Sequence, residues 1–352
     1  MSDIKPIKVT IISDGKPGHE NQSLGIAERL PESNIMILRH SLRIGPEELF
    51  LRFKSIFPGN QSESKLVREL NQVFGNDKVQ ELLDFMPDVV ISTGTFSAAP
   101  CLLAGKLTGA KTCACMTPSL VPVNKFDLAV IPVHDNPPDK PNVITTNSAP
   151  NRVTDEFMRN EWEKWKEQIP SDGNFISWVI GGPSSSVGFD SDKVINALEA
   201  TFDWAEENQY WILLSTARRT PVALENKISG YINKVHALRW TLIWHMENKN
   251  PLYAMFHISD AAIVTSDSVS MISEASSAGC GPLIFQSEKT NAGTSKQNRM
   301  ITNMLDKGYG RLVPDDKKLV LALKQYKSSG FEWRRLDETT GVAGKLLEII
   351  KS

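Results

Sequence analysis

A histidine and two carboxylates share one short loop near the amino terminus, Ser13-Asp14-Gly15-Lys16-Pro17-Gly18-His19-Glu20-Asn21-Gln22-Ser23. His19 titrates near neutrality in its ordinary state, and Asp14 and Glu20 are the competing groups for general-base work. Gly15 and Gly18 allow a tight turn and close backbone approach, and the helix that follows presents unpaired N–H groups. The glycine spacing is not that of a dinucleotide fingerprint, and the Lys-Ser/Thr of a phosphate loop is missing. The alternative is a capped turn whose histidine is structural.

Three further segments have the chemistry of an anion or nucleotide site. Ile180-Gly181-Gly182-Pro183-Ser184-Ser185-Ser186 can bring backbone amides near a phosphate, with Gly182 and Ser184 as the candidate contacts; Gly-Gly-Pro also makes an ordinary turn. Ser215-Thr216-Ala217-Arg218-Arg219-Thr220-Pro221 offers Thr216 and two guanidinium groups suited to a diphosphate. Solvated arginines are the plain alternative. Thr265-Ser266-Asp267-Ser268-Val269-Ser270-Met271-Ile272-Ser273-Glu274 reads as a serine-rich turn opening a helix. Its first turn can hold an anion through Ser266, Ser268, Ser270 and the amides. Glu274, one turn after Ser270, could accept both hydroxyls of a ribose. Otherwise Ser268 or Ser270 simply caps the helix and Glu274 is solvated.

No metal and no cofactor are expected. Asp190-Ser191-Asp192 resembles an Asp-x-Asp metal motif but opens a helix, where Asp is a common cap. His134-Asp135 and His245-x-Glu247 lack a third ligand at metal spacing. Cys101, Cys113, Cys115 and Cys280 have neither zinc spacing nor disulfide density, and read as small buried residues in a reducing compartment.

These loops need elements to hold them. Short apolar runs at residues 7–12, 35–38, 88–92, 111–116 and 128–131 read as strands, with helices at 23–30 and 96–107. A second series has strands at 175–180, 210–215, 238–244, 261–265 and 281–285. Its helices fall at 192–206, 224–232, 251–257 and 270–278. This alternation predicts an α/β protein of two Rossmann-like domains with parallel sheets facing a cleft. The first domain spans residues 1–150 and is completed by a terminal helix at 341–352. The second spans residues 151–335. With 352 residues, two domains are the natural expectation. The 39 basic and 41 acidic side chains balance, so no domain is marked as a nucleic-acid binder. No run reaches the ~20 apolar residues of a membrane span, and no signal peptide precedes the first strand. A cytoplasmic protein is expected. Its architecture leaves a glycosyltransferase of the B type (GT-B), an epimerase or a binding protein open.

The chain resembles the elongated-mitochondria fission family, whose members are treated as B-type glycosyltransferases. The resemblance runs through Asp14-Gly-Lys-Pro-Gly-His-Glu-Asn-Gln-Ser-Leu-Gly25, Pro87-Asp-Val-Val-Ile-Ser-Thr-Gly94, Ala149-Pro-Asn-Arg-Val153 and Ile180-Gly-Gly-Pro-Ser184. It continues through Thr216-Ala-Arg-Arg-Thr-Pro221, Asn250-Pro-Leu-Tyr253 and Thr265-Ser-Asp-Ser-Val-Ser-Met-Ile-Ser-Glu274. More distantly, the chain is similar to the lipid-linked N-acetylglucosaminyltransferase of peptidoglycan synthesis. That likeness implies that His19 matches a loop histidine facing the acceptor and Glu274 a ribose-binding glutamate, which makes 1–150 the acceptor-side domain and 151–335 the nucleotide-sugar-binding domain. Thr265-Ser-Asp-Ser departs from the Arg-Ser-Gly of that enzyme. The resemblance implies metal-independent transfer of a sugar from a nucleotide-diphosphate donor to a cell-envelope glycan or lipid-linked acceptor. A non-catalytic interaction protein in membrane or organelle division and a nucleotide-sugar epimerase are the alternatives. Residues 48–57, with Phe50, Phe53 and Phe57 beside Arg52 and Lys54, suit an interfacial helix touching the inner face of the membrane. Packing of that apolar face against a sheet is the competing expectation.

Overall fold

A strand that is apolar on both faces must be covered on both, and the first strand is of this kind: in β1 (Lys8–Ser13) every residue after Lys8 is buried. In the computed structural model, which describes residues 5–43, 45–56, 62–119, 121–183, 188–288, 296–329 and 333–352, the chain divides into two units. Unit 1 is Met1–Arg152 with Asp337–Ser352, and unit 2 is Val153–Leu336.

Unit 1 continues with α1 (Pro17–Ala27), β2 (Asn34–Arg39), α2 (Pro46–Ile56), α3 (Glu63–Phe74), α4 (Asn76–Phe85) and β3 (Val89–Thr93). It then runs α5 (Thr95–Thr108), β4 (Lys111–Cys115), β5 (Leu128–Pro132) and β6 (Val143–Thr146). The sheet is parallel throughout, in the order β2-β1-β3-β4-β5-β6. One face buries Leu70, Leu82 and Leu103 against Ile12 and Val90. The other buries Ile26 against Val9 and Ile11. Gly25 lets α1 lie directly on the chain at Asn151, whose carbonyl oxygen would stand 2.3 Å from any added Cβ. The Ala149-to-Val153 segment therefore acts on packing.

Unit 2 comprises α6 (Asp155–Trp165), β7 (Asn174–Ile180), α7 (Ser191–Asn208), β8 (Tyr210–Thr216), α8 (Val222–Ser229), β9 (Leu238–Leu242) and the short α9 (Trp244–Glu247). It goes on through α10 (Leu252–Ile258), β10 (Ala261–Thr265), α11 (Val269–Ala278), β11 (Leu283–Phe285), α12 (Lys296–Asp306), β12 (Arg311–Val313) and α13 (Asp316–Ser329). Its parallel sheet has the order β12-β11-β10-β7-β8-β9, the doubly wound arrangement of dinucleotide-binding folds. The last helix, α14 (Thr339–Lys351), returns to unit 1 and buries Val342, Ala343 and Leu346 in the same cluster as β1 and α1.

In each sheet one gap separates connections that leave in opposite directions, the switch point beside which such folds place ligands at the carboxyl ends of the strands. It lies between β1 and β3 in unit 1, and between β7 and β10 in unit 2. Several elements escape the sequence pattern. Residues 152–168 look polar, yet they hold α6, which buries only Met158 and Trp165. The region after residue 285 contains α12, β12 and α13, and a three-residue strand such as β12 gives no period to detect. The strand expected at 238–244 stops at Leu242, where Trp244 begins α9.

Candidate functional site

The β1–β3 gap of unit 1 gathers the first loop. Asp14 is the first residue after β1, and its side chain is only 3 % exposed. His19 Nδ1 lies 3.1 and 3.2 Å from the two Asp14 oxygens, so it donates to the carboxylate. Nε2 is left without a partner among the described residues. Burial alone would raise the Asp14 pKa, but the Lys16 hydrogen bond and the charges of His19 and Lys16 hold it below the ordinary value. Burial lowers the His19 pKa below its usual 6.5, and the attraction of Asp14 only partly opposes this. The imidazole is therefore neutral at pH 7, with a fixed tautomer and an available lone pair. That is the state a general base needs.

Gly15, with φ +76°, makes the turn. Gly18 does not: α1 begins at Pro17, so Gly18, His19 and Glu20 all stand in its first turn. Proline at the start of a helix explains the early onset, because its fixed φ suits that position. Glu20 is also placed differently from a free base. It accepts Ser13 Oγ at 2.8 Å and a two-pronged contact from Arg39 at 2.7 and 2.8 Å. The Arg39 bonds hold its pKa down against the effect of burial. Two residues of this site carry no obvious signal in the sequence. Gly94, at φ +83° after β3, makes room for the imidazole, and a Cβ there would stand 2.7 Å from His19 Cε1. His40 follows β2, accepts the Leu42 amide at Nδ1 and bonds Ser97 through Nε2 at 3.0 Å. Burial lowers its pKa to about 4.

In unit 2 the candidate residues separate into two groups. Arg218 and Ser270 are exposed, and Ser268 is partly exposed at the start of α11 with no side-chain cap bond. The others are engaged inside the protein. Gly182 N donates to Asp267 Oδ2 at 2.9 Å, and Arg219 bonds Gly182 O at 2.5 Å and Asp267 Oδ2 at 3.1 Å. Thr216 is buried, donates to Glu225 Oε1 at 2.5 Å and accepts the Trp244 amide. Ser266 is buried and donates to Glu288 Oε2 at 2.6 Å. Ser184 lies outside the described residues. Glu274 is neither solvated nor at the surface: 7 % exposed, it accepts the Tyr253 hydroxyl at 2.7 Å. Burial pushes its pKa up to about 7, against that hydrogen bond. The turn-by-turn spacing from Ser270 to Glu274 is helical as read, but α10 covers the helix beyond its first turn.

A second carboxylate–histidine contact escapes the sequence. Glu225, 2 % exposed, meets His245 Nδ1 at 2.5 Å. Asp190 caps α7, accepting from the amides of Asp192 and Lys193. Among the described residues no three His, Cys, Asp or Glu converge to hold a metal ion. No helix there is long and apolar enough to cross a membrane.

Residues 48–56 belong to α2, and Phe57 lies outside the described residues. Leu49, Phe50 and Phe53 are exposed by 52, 52 and 59 %. Arg52 is buried against Glu48, and Lys54 pairs with Glu69 at 3.2 Å and sits over the Phe50 ring. The two cations thus belong to the helix packing, which corrects their expected place on the membrane-facing side. A cavity of about 610 Å³ beside the helix is lined by Leu42, Pro46, Phe50, Leu51 and Val73.

The mitochondrial fission ELM1 family matches residues 17–350. An uncharacterized protein, RP120 of Rickettsia prowazekii (strain Madrid E), is 24 % identical over 98 % of both chains. The UDP-GlcNAc 2-epimerase of Methanocaldococcus jannaschii superposes with a TM-score of 0.60 at 14 % identity, over 98 % of this chain and 99 % of that one. A UDP-glucosyltransferase from Polygonum tinctorium capable of glucosylating indoxyl gives 0.54 at 11 % identity, over 99 % of each chain. The two Rossmann-like units thus make a fold of the GT-B type.

Proposed function

The chain belongs to the mitochondrial fission ELM1 family, and on that premise we propose that it is a metal-independent glycosyltransferase using a nucleotide-diphosphate sugar. The acceptor is a cell-envelope glycan or a lipid-linked glycan. The observation that carries the reading is the buried Asp14 carboxylate holding His19 by Nδ1 at a sheet switch point. His19 Nε2 takes the proton of the acceptor hydroxyl as its oxygen bonds the anomeric carbon. The bond from that carbon to the diphosphate breaks, and the nucleoside diphosphate leaves. Donor binding is assigned to unit 2, through Arg218, Ser268, Ser270 and the first amides of α11, with Gly182 and Arg219 on the diphosphate side. Both solved proteins named above carry UDP-linked sugars in their names, which supports the ligand class. Membrane contact through the exposed Phe50 and Phe53 suits a lipid-linked acceptor.

A panel of nucleotide sugars tested by thermal shift checks the ligand class. A true donor at 100 times its dissociation constant stabilises by about 2.7 kcal/mol. No response to any nucleotide sugar would favour the interaction-protein reading. Interconversion of a nucleotide sugar without an acceptor would make the protein an epimerase.

A further inference from the structure

The β7–β10 gap of unit 2 already contains an anion. Asp267, whose side chain is fully buried, extends from the turn after β10 and takes the amide of Gly182 and the guanidinium of Arg219 on one oxygen. Ser287 Oγ lies 3.5 Å from the other. An amide and a guanidinium converging on one point are the parts of a phosphate site, and here a carboxylate occupies it. The glycines fit this internal partner. A Cβ on Gly181 would stand 2.1 Å from Asp267 Oδ2, and one on Gly182 would stand 1.9 Å from Arg219 O. Arg219 also holds the Gly182 and Pro183 carbonyls at 2.5 and 3.1 Å. One ion pair therefore ties together the loops that leave β7, β8 and β10. The Arg219 side chain remains 34 % exposed, so a ligand can reach it from solvent.

We infer that Asp267 is an internal occupant of the diphosphate position, an affinity-limiting latch that a diphosphate must displace from Gly182 and Arg219. The inference rests on the donor-binding reading of unit 2. While the latch is closed, a diphosphate meets a like charge where its own oxygens would bind, and Arg219 is already spent on Asp267. Opening frees one guanidinium edge and one amide.

Calorimetric titration with UDP and, separately, with inorganic pyrophosphate tests it on wild type, Asp267→Asn, Arg219→Gln and the double variant at one fixed salt concentration. The latch predicts that Asp267→Asn binds both probes about tenfold tighter, the scale of a close charge coupling. Arg219→Gln alone should bind neither probe more tightly than wild type, and adding it to Asp267→Asn should remove the gain. A folded Asp267→Asn with unchanged or weaker binding of both probes overturns the latch, as does a gain that survives loss of Arg219. A pyrophosphate gain without any UDP binding leaves the latch standing and removes the nucleotide reading. Asp267→Ser repeats the measurement if Asp267→Asn does not fold. Failure of both variants to fold makes the carboxylate purely structural and overturns the proposal.

Discussion

At His19 burial and the Asp14 carboxylate pull the protonation equilibrium in opposite directions, and burial dominates. A base whose pKa lies below 6.5 is unprotonated at neutral pH. On the proposed role, kcat/KM should be flat around pH 7 and fall as pH drops below 6.5, since protonation then removes the Nε2 lone pair. A rate that instead rises on acidification would assign the base elsewhere. Gly94 gives a second test of the same geometry. Its backbone lies in a region nearly restricted to glycine, so Gly94→Ala should cost ~1–3 kcal/mol in chemical denaturation. The methyl group would also push the imidazole away from Asp14, and turnover should drop more than stability explains. The sequence points to Asp14 and His19 because a polar strand-to-helix loop is the usual place for ligands in such sheets. It does not point to Gly94 or His40, which reach the loop only because β2 and β3 flank β1. Asp267 is hidden for a similar reason: its amide partner lies 85 residues away.

Among the elements, α2 is unusual in leaving three large apolar side chains in solvent while burying a glutamate and an arginine. The helical period alone predicts a buried apolar stripe, and Leu51 fulfils it. Leu49, Phe50 and Phe53 stand on the outer side. If this face meets lipid, the protein should co-sediment with anionic vesicles, and Phe50→Ser with Phe53→Ser should abolish it. Arg52 and Lys54 are committed to Glu48 and Glu69, so salt sensitivity should be weak and apolar insertion dominant. Equal sedimentation of the double variant would exclude this face. The elements that the sequence does reveal are the buried strands, whose apolar runs are unbroken. α3 and α4 are amphipathic helices inserted between β2 and β3, and their apolar positions give no sign of which sheet they cover. α12 and α13 flank a strand too short to announce itself.

For the whole molecule, the two sheets solve one problem twice. Each places its polar loops at the gap where connections diverge, with a carboxylate as the organising group: Asp14 orients an imidazole in unit 1, and Asp267 fills an anion site in unit 2. On the proposed function, the first activates the acceptor and the second binds the donor. The most direct test of that function is release of nucleoside diphosphate from a nucleotide sugar by wild type and His19→Ala, with a lipid-linked or cell-envelope glycan acceptor present and donor affinity measured in parallel. If His19 is the base, His19→Ala should slow release by ~10²-fold or more while donor affinity stays unchanged. Release at the wild-type rate by a folded His19→Ala protein would contradict it.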